Sequence, residues 1–390
     1  MSSASRKASS KSEVLILGNC PESRWTSLLL SHAFHRFGCP APVVWLEDPG
    51  DSQMAKWSPP EVIPLHIGNG EIVEKAFLVF GEAMADSLWR FSHANYRRAS
   101  QCFADFGLPL SETGLAWFAT DTRERDLLEA SVRRGYGGNY LGSGPQLQLG
   151  GVQFLGKLTE PACQLDVTGL ESCLLQWAQT HGGLPQRWER LVQLEKSDAL
   201  NYRLTLERAG RLQEKTASVI LCLANDWDAQ LFPWLKDKLI PITLSSFSVP
   251  KSIPLDFGVA HFHGGADFGV ITDKEFRLGS FRNLYQDRGV GRQRQVDPLS
   301  LVNLERFFAD LKWTGPSQGN YRSHLSWESI TCDGLPIAGA LPDLPGVYWI
   351  SGFAGRAQNF IFELVQRLAE AIVRGKSFEP IELFSTKRFL

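Results

Sequence analysis

The sequence predicts an α/β chain, α+β overall, with a parallel sheet flanked by helices and a second, mainly antiparallel domain. Three observations predict it. Glu13-Val14-Leu15-Ile16-Leu17-Gly18, a helical spacing from Trp25 to Phe37, and Pro42-Val43-Val44-Trp45-Leu46-Glu47 read together as a βαβ unit. Near the other end, Gly346 to Gly352 reads as a strand and turn feeding the periodic stretch Ala357 to Arg374. Between them, Pro241 to Leu284 carries alternating segments such as Gly258-Val259-Ala260-His261-Phe262-His263, the pattern of a sheet with one solvated face.

Taken in order, the first strand is buried on both faces and closes at Gly18. The first helix places Leu28, Leu29, Ala33 and Phe37 on one face and ends at Gly38, a left-handed cap. A right-handed crossover then puts the Gly18 turn at the carboxyl end of the sheet. Residues 51–70 are rich in Pro, Gly and polar groups, after which Ile72 to Arg98 reads as one long amphipathic helix. Residues 114–165 read as strands and tight turns, and Leu165 to Gly182 as a helix. Leu204-Thr205-Leu206 and Ser218 to Leu223 read as strands flanking a turn, the second apolar enough to join the parallel sheet, and Leu299 to Leu311 as a helix. No internal repeat emerges, and no oligomeric state is specified.

Composition narrows the function classes. Forty Lys+Arg against 42 Asp+Glu give a net charge of −2, which excludes a strongly basic nucleic-acid-coating protein. With 43% hydrophobic residues the chain fills a sizeable core. Seven scattered Cys without a C-x-x-C pair fit neither a disulfide framework nor a zinc ribbon, and read as free thiols in a reducing compartment. No run of about 18 apolar residues is present to span a bilayer. The start, MSSASRKASSKS, lacks the apolar centre of a signal peptide and reads as a flexible tail, so a cytoplasmic protein is expected, with a transit peptide as the alternative.

Two turns are candidates for chemistry. In Gly18-Asn19-Cys20-Pro21-Glu22-Ser23, followed by Glu47 at the next strand end, backbone N–H groups of the turn would hold a pyrophosphate and the acid a ribose. Only the first Gly of G-x-G-x-x-G is present; Pro21 removes a donor and Glu22 brings a like charge, so an ordinary strand–helix turn explains the segment as well. In Gly352-Phe353-Ala354-Gly355-Arg356, a Gly-rich turn opens the last helix and offers free N–H groups to an anion; a packing turn is the bland alternative. His261 and His263 are expected on one solvated strand face, not at a metal, since no acid or Cys cluster accompanies them. Arg277, Arg282, Arg288, Arg292 and Arg294 read as a solvated loop, with an acidic substrate or RNA phosphates as the alternative.

The run Thr331-Cys332-Asp333-Gly334-Leu335-Pro336-Ile337-Ala338-Gly339, then a strand, then Gly352 to Arg356 resembles the pattern T-x-D-G-x-P-x-x-G, strand, G-F-x-G-x-G of the D-amino-acid-oxidase-like FAD-dependent oxidoreductases. The ending Phe384 to Phe389 is similar to that family's terminal segment, and residues 61–91 are more loosely similar to the oxidase domain of the bifunctional tRNA wobble-uridine modification enzyme. The departures fall on cofactor-facing turns: the family's S-G-x-x-x-G loop would fall at Ala55 to Pro60 without its glycines, Ala224-Asn225-Asp226 replaces A-x-G, Glu328 stands where many members carry Arg, and Ala357 replaces a Gly.

The resemblance implies a Rossmann-like FAD-binding domain from 13–80, 150–238 and 325–390, a substrate-side domain from 81–149 and 239–324, and a tail at 1–12. It implies cofactor contacts at Gly18, Asn19, Glu47, Asp333, Gly334, Gly352, Phe353, Ala354 and Gly355, with FAD bound weakly or absent. The activity expected is hydride transfer to flavin from a small amine or amino-acid substrate, with Arg356 and Arg322 holding a substrate carboxylate. The alternative is a flavin-free relative acting as a binding or assembly subunit. A tRNA substrate is not favoured by the near-neutral charge.

Overall fold

The computed structural model describes residues 13–18, 21–38, 43–46, 62–68, 70–142, 148–149, 152–181, 186–188, 190–198, 201–222, 235, 237–250, 257–272, 275–279, 289–291, 293, 295–310, 321–341, 344–376, 378 and 380–389. In chain order these hold β1 (Glu13–Leu17), α1 (Pro21–Arg36), β2 (Val43–Leu46), β3 (Val62–His66), α2 (Val73–Phe80), α3 (Glu82–Asp105), β4 (Ser111–Ala119), α4 (Thr122–Arg133), β5 (Asn139–Leu141), β6 (Gln148–Leu149), β7 (Val152–Gln153), β8 (Gly156–Asp166) and α5 (Val167–His181). There follow β9 (Gln186–Trp188), β10 (Arg190–Lys196), β11 (Tyr202–Arg208), β12 (Arg211–Cys222), β13 (Leu239–Pro250), β14 (Val259–Phe262), β15 (Asp267–Ile271), β16 (Glu275–Gly279), α6 (Pro298–Asp310), β17 (Arg322–Thr331), β18 (Ile337–Ala340), β19 (Val347–Ser351) and α7 (Ile361–Arg374).

Two large sheets organise the molecule. In the first, β12, β1, β2 and β9 run parallel in that order, β19 lies parallel on the other side of β12, and β18 and the β10–β11 strands extend it antiparallel. Segments near residues 14, 220 and 350 therefore share one sheet, as the three apolar strand patterns predict. The second sheet has the order β17-β13-β16-β15-β14-β4-β8-β3 and is antiparallel except where β14 meets β4. β3, β8 and β17 all hydrogen-bond into this second sheet.

The largest core lies over one face of the parallel sheet, where α7 packs against α1 and α3. Ile361, Leu364, Val365, Leu368 and Ala369 are all almost fully buried there, each large side chain contributing about 1.5–3 kcal/mol. α7 ends where expected, with Gly375 in the left-handed conformation (φ +60°).

Two expectations are corrected. The single helix over 72–98 is two, because Gly81 (φ +80°, ψ +167°) occupies a region that only glycine populates readily and breaks α2 from α3. The stretch 114–165 contains a helix, α4, whose start was legible: the Asp121 side chain accepts from Glu124 N at 2.8 Å, and the Glu124 side chain reaches back to Thr120 N at 2.7 Å.

Candidate active site at the junction of the two sheets

The carboxyl ends of β1 and β19 lie on the same edge of the parallel sheet, so Gly18 and Gly352, which follow them, open the crevice where α/β sheets bind ligands. The turn after β19 is held by the second sheet. Ala354 N donates to Ser329 O at 3.0 Å, the Ser329 and Ser351 hydroxyls are 2.9 Å apart, and Phe353 bridges to Ile330. Gly352, Ala354 and Gly355 all have positive φ, and a side chain at 352 would fall 2.8 Å from the Thr331 methyl. The positive φ and the close Thr331 side chain together are why glycine stands at 352.

Arg356 leaves this turn and lies in a slot made by two other turns. A Cβ on Gly70 would sit 2.7 Å from its Nε, and its Nη2 donates to Gly265 O at 3.2 Å. Removal of the guanidinium from water lowers its pKa, opposed by the charge of Glu71.

Beside Arg356 is a buried cluster from four strands and the 3-10 turn before α7. His66, at the end of β3, places Nδ1 3.1 Å from Ile67 O, and its Nε2 lies 3.1 Å from Asn359 Nδ2 and 3.4 Å from His261 Nε2. The Asn359 amide is oriented by His66 N, which donates to its Oδ1 at 3.4 Å. His261 stacks on Trp117 at 4.4 Å, and Trp117 Nε1 donates to Glu160 at 2.7 Å. All five side chains are less than a tenth exposed.

Burial dominates their titration. It takes His66 down to about 4, with the Ile67 carbonyl opposing and Arg356 adding to the fall. Burial, then His66, then Arg356, hold His261 well below the ordinary imidazole value. Burial pushes Glu160 up to about 7 against the stabilising indole N–H. The start of α7 is capped from α3: Asn95 Oδ1 accepts from Glu363 N at 3.1 Å and Asn95 Nδ2 donates to Gln358 O at 2.9 Å. For that reason the helix begins at Ile361, after a short 3-10 turn over Ala357–Asn359, and not at Ala357.

No protein-family model and no curated protein matches the sequence. Solved structures do. L-proline dehydrogenase from P. horikoshii superposes with a TM-score of 0.70 over 97% of this chain and 98% of that one, at 13% identity. Glycine oxidase from Geobacillus kaustophilus gives 0.69 over 97% and 100% at 18% identity, and iminodiacetate oxidase from Chelativorans sp. BNC1 gives 0.67 over 95% and 98% at 17%. The chain has their fold.

Within this fold the expected site residues separate. Gly18 and the run Gly352, Phe353, Ala354, Gly355 and Arg356 follow β1 and β19 at the carboxyl edge of the parallel sheet, whereas Asn19 and Glu47 fall outside the described residues. Asp333 ties down the chain's own terminal segment: its carboxylate accepts from Thr331 Oγ1 at 2.8 Å and from Arg388 Nε at 2.8 Å, and Gly334 (φ +76°) turns beside it. Arg322 is not brought to Arg356. It begins β17, 77% exposed and paired with Glu275 at 2.7 Å, roughly 23 Å along the strand from Ser329, where β17 meets the turn.

The histidines also depart from expectation. β14 ends at Phe262, so His263 leaves the strand with φ +51° and contacts Asp267 at 2.6 Å, while His261 is buried and not solvated. Arg277 is largely buried and donates to Ser246 at 3.0 Å; Arg282, Arg288, Arg292 and Arg294 fall outside the described residues. Among the described residues no cluster of His, Cys, Asp or Glu suits a metal, and no helix is long and apolar enough to cross a membrane. Sequence reasoning missed His66, Trp117, Glu160, Asn95 and Asn359. His66 carried no motif, and its strand lies in a Pro- and Gly-rich stretch.

Proposed function

We propose that the chain is an FAD-dependent oxidoreductase of the D-amino-acid-oxidase-like family that acts on a small amine or amino acid. The observation that carries this reading is the joining of Gly18 and the Gly352–Gly355 turn at one carboxyl edge of a parallel sheet, in a fold whose solved examples include glycine oxidase and L-proline dehydrogenase. The order at that edge suits a dinucleotide: β1 and Gly18 precede α1 there, and the turn with left-handed residues 354–355 follows β19 at the same edge. Gly18 and the first turn of α1 would hold the phosphates, and the 352–356 turn the ring end.

FAD supplies the hydride acceptor for the carbon beside a neutral amine. The chain's own part is to orient and to exclude water. Arg356, fixed against Gly70 and Gly265, would hold the substrate carboxylate, and the neutral His66–His261 pair forms the wall beside it. Pro21, at the first position of α1, lacks an N–H donor, and only one glycine of the phosphate turn is present, so FAD is held weakly and dissociates on dialysis.

Anaerobic addition of small amino acids to the FAD-reconstituted protein should bleach the flavin's visible absorbance. Failure of glycine, N-methylglycine, proline and iminodiacetate alike to do so would contradict the amino-acid reading.

A further inference from the structure

β13 and its two neighbours present one set of side chains to the 352–356 turn. Residues two apart on a strand, and residues opposite each other in register, share a face of the sheet. Leu244, Ser246 and Ser248 of β13 therefore stand with Arg277 and Gly279 of β16 and with His324 of β17. Phe247, Val249, Phe276 and Leu278 take the other face and pack with Leu304 and Phe308 of α6. The first face meets the turn at Leu244, whose Cδ1 lies 2.9 Å from where a Cβ on Gly355 would stand. Ser246 is the next residue of β13 on that face, roughly 7 Å further along the strand.

Bonded to Ser246 is a cation with no counter-charge of its own. Arg277 Nε donates to Ser246 Oγ at 3.0 Å, and among the described residues its two Nη groups have neither a hydrogen bond nor an ion pair. Burial lowers the pKa of this guanidinium, and Glu275, which opposes the fall, is committed elsewhere: it accepts from Arg322 at 2.7 Å and from Ser248 Oγ at 3.2 Å. Because Ser248 gives its hydroxyl proton to Glu275, it accepts from His324 Nε2 at 3.3 Å, so that ring's proton is engaged as well. Ser246 is in the opposite condition. Its oxygen already accepts from Arg277, so its O–H is left to donate, and among the described residues nothing takes it. A hydroxyl donor and a full positive charge thus sit side by side with no acceptor between them, a state that a bound anion relieves.

The neighbouring wall is apolar. Phe268 of β15 pairs with Gly279, and a Cβ on Gly279 would stand 2.8 Å from Phe268 Cε1, so the half-buried ring lies across the glycine, diagonal to Arg277 on the same face. We propose that Arg277, Ser246 and Phe268 form a binding site for a small carboxylate with an apolar body. The two Nη groups take the carboxylate oxygens side by side, the Ser246 hydroxyl donates to one of them, and the hydrocarbon lies on the Phe268 ring. With a cation and no free carboxylate in the cluster, an ammonium next to the ligand's carboxylate is repelled. The site therefore selects an acid without an amine, goes beyond the amino-acid reading at Arg356, and does not depend on FAD.

The test is calorimetric titration of the purified, dialysed protein with butyrate at neutral pH. Arg277→Gln should lose one equivalent of bound butyrate per chain, and Arg356→Gln should keep it. Ser246→Ala, which removes one donor and leaves the charge, should weaken that equivalent several-fold. Acetate should bind up to about tenfold more weakly than butyrate, for want of two methylenes on the ring, and 2-aminobutyrate should bind more weakly than butyrate in Arg356→Gln. No saturable butyrate binding, or binding unchanged in both Arg277→Gln and Ser246→Ala, overturns the site. Acetate, chloride or 2-aminobutyrate bound there as tightly as butyrate overturns the assigned ligand class. Binding lost in Arg356→Gln and kept in Arg277→Gln gives the anion to Arg356, which overturns this site and leaves the amino-acid reading standing.

Discussion

The crevice edge and the histidine junction are built in opposite ways. The edge comes from short-range patterns: an apolar strand, a glycine, then a helix, used at β1–α1 and again, with a longer turn, at β19–α7. The junction takes single side chains from β3, β4, β8 and β14 and from the turn before α7, up to 293 residues apart in sequence. The first is a property of segments. The second exists only once two sheets have docked. Local patterning therefore selects where a cofactor fits, and tertiary packing selects what surrounds the substrate.

Removing Arg356 should break the functional part of this contrast most sharply. Arg356→Ala is expected to lower turnover of a reactive amine by about a hundredfold, with little change in melting temperature, measured by flavin reduction and thermal unfolding. Gly70→Ala tests the slot from its other wall. Its Cβ would meet the Arg356 side chain at 2.7 Å, at a φ of +81°, so stability should fall by about 1–3 kcal/mol in denaturant unfolding, and carboxylate binding at Arg356 should be lost with it.

His66 sharpens the comparison through pH. Its native pKa of about 4 lies below the unfolded value of about 6.5, so the unfolded chain binds the proton first. Stability falls as pH drops from about 6.5 to about 4, by about 3 kcal/mol from this group. His66→Gln should flatten that acid limb in unfolding curves collected from pH 7 to 4.5. Glu160 has the opposite sign: held near 7, it destabilises the native state as pH rises from its ordinary range through 7, and Glu160→Gln should flatten the neutral limb.

Arg322→Ala is expected to have the smallest effect. The side chain is exposed in a surface pair with Glu275, so turnover and melting temperature should both stay unchanged. A large loss of turnover here, matched by none at Arg356, would reverse the assignment of the two arginines.

What the sequence disclosed follows the same division. The strands at Glu13, Ser218 and Val347 were legible because a strand buried on both faces must be apolar throughout, and α7 because its period is unbroken from Ile361 to Ile372. The place of Arg356 after a glycine turn was legible too. His261 was visible but assigned to solvent, since alternation tells which residues share a face and not what covers that face. Trp117 and His66 cover it. Arg322 was separated from Arg356 by strand direction, which spacing does not encode.

The most direct measurement of the central claim is titration of the purified, dialysed protein with FAD, followed by flavin fluorescence and absorbance. One FAD bound per chain, reversibly and with its visible band perturbed by the crevice, is the predicted result. No saturable binding at any FAD concentration would contradict the placement of a flavin at the carboxyl edge of the parallel sheet.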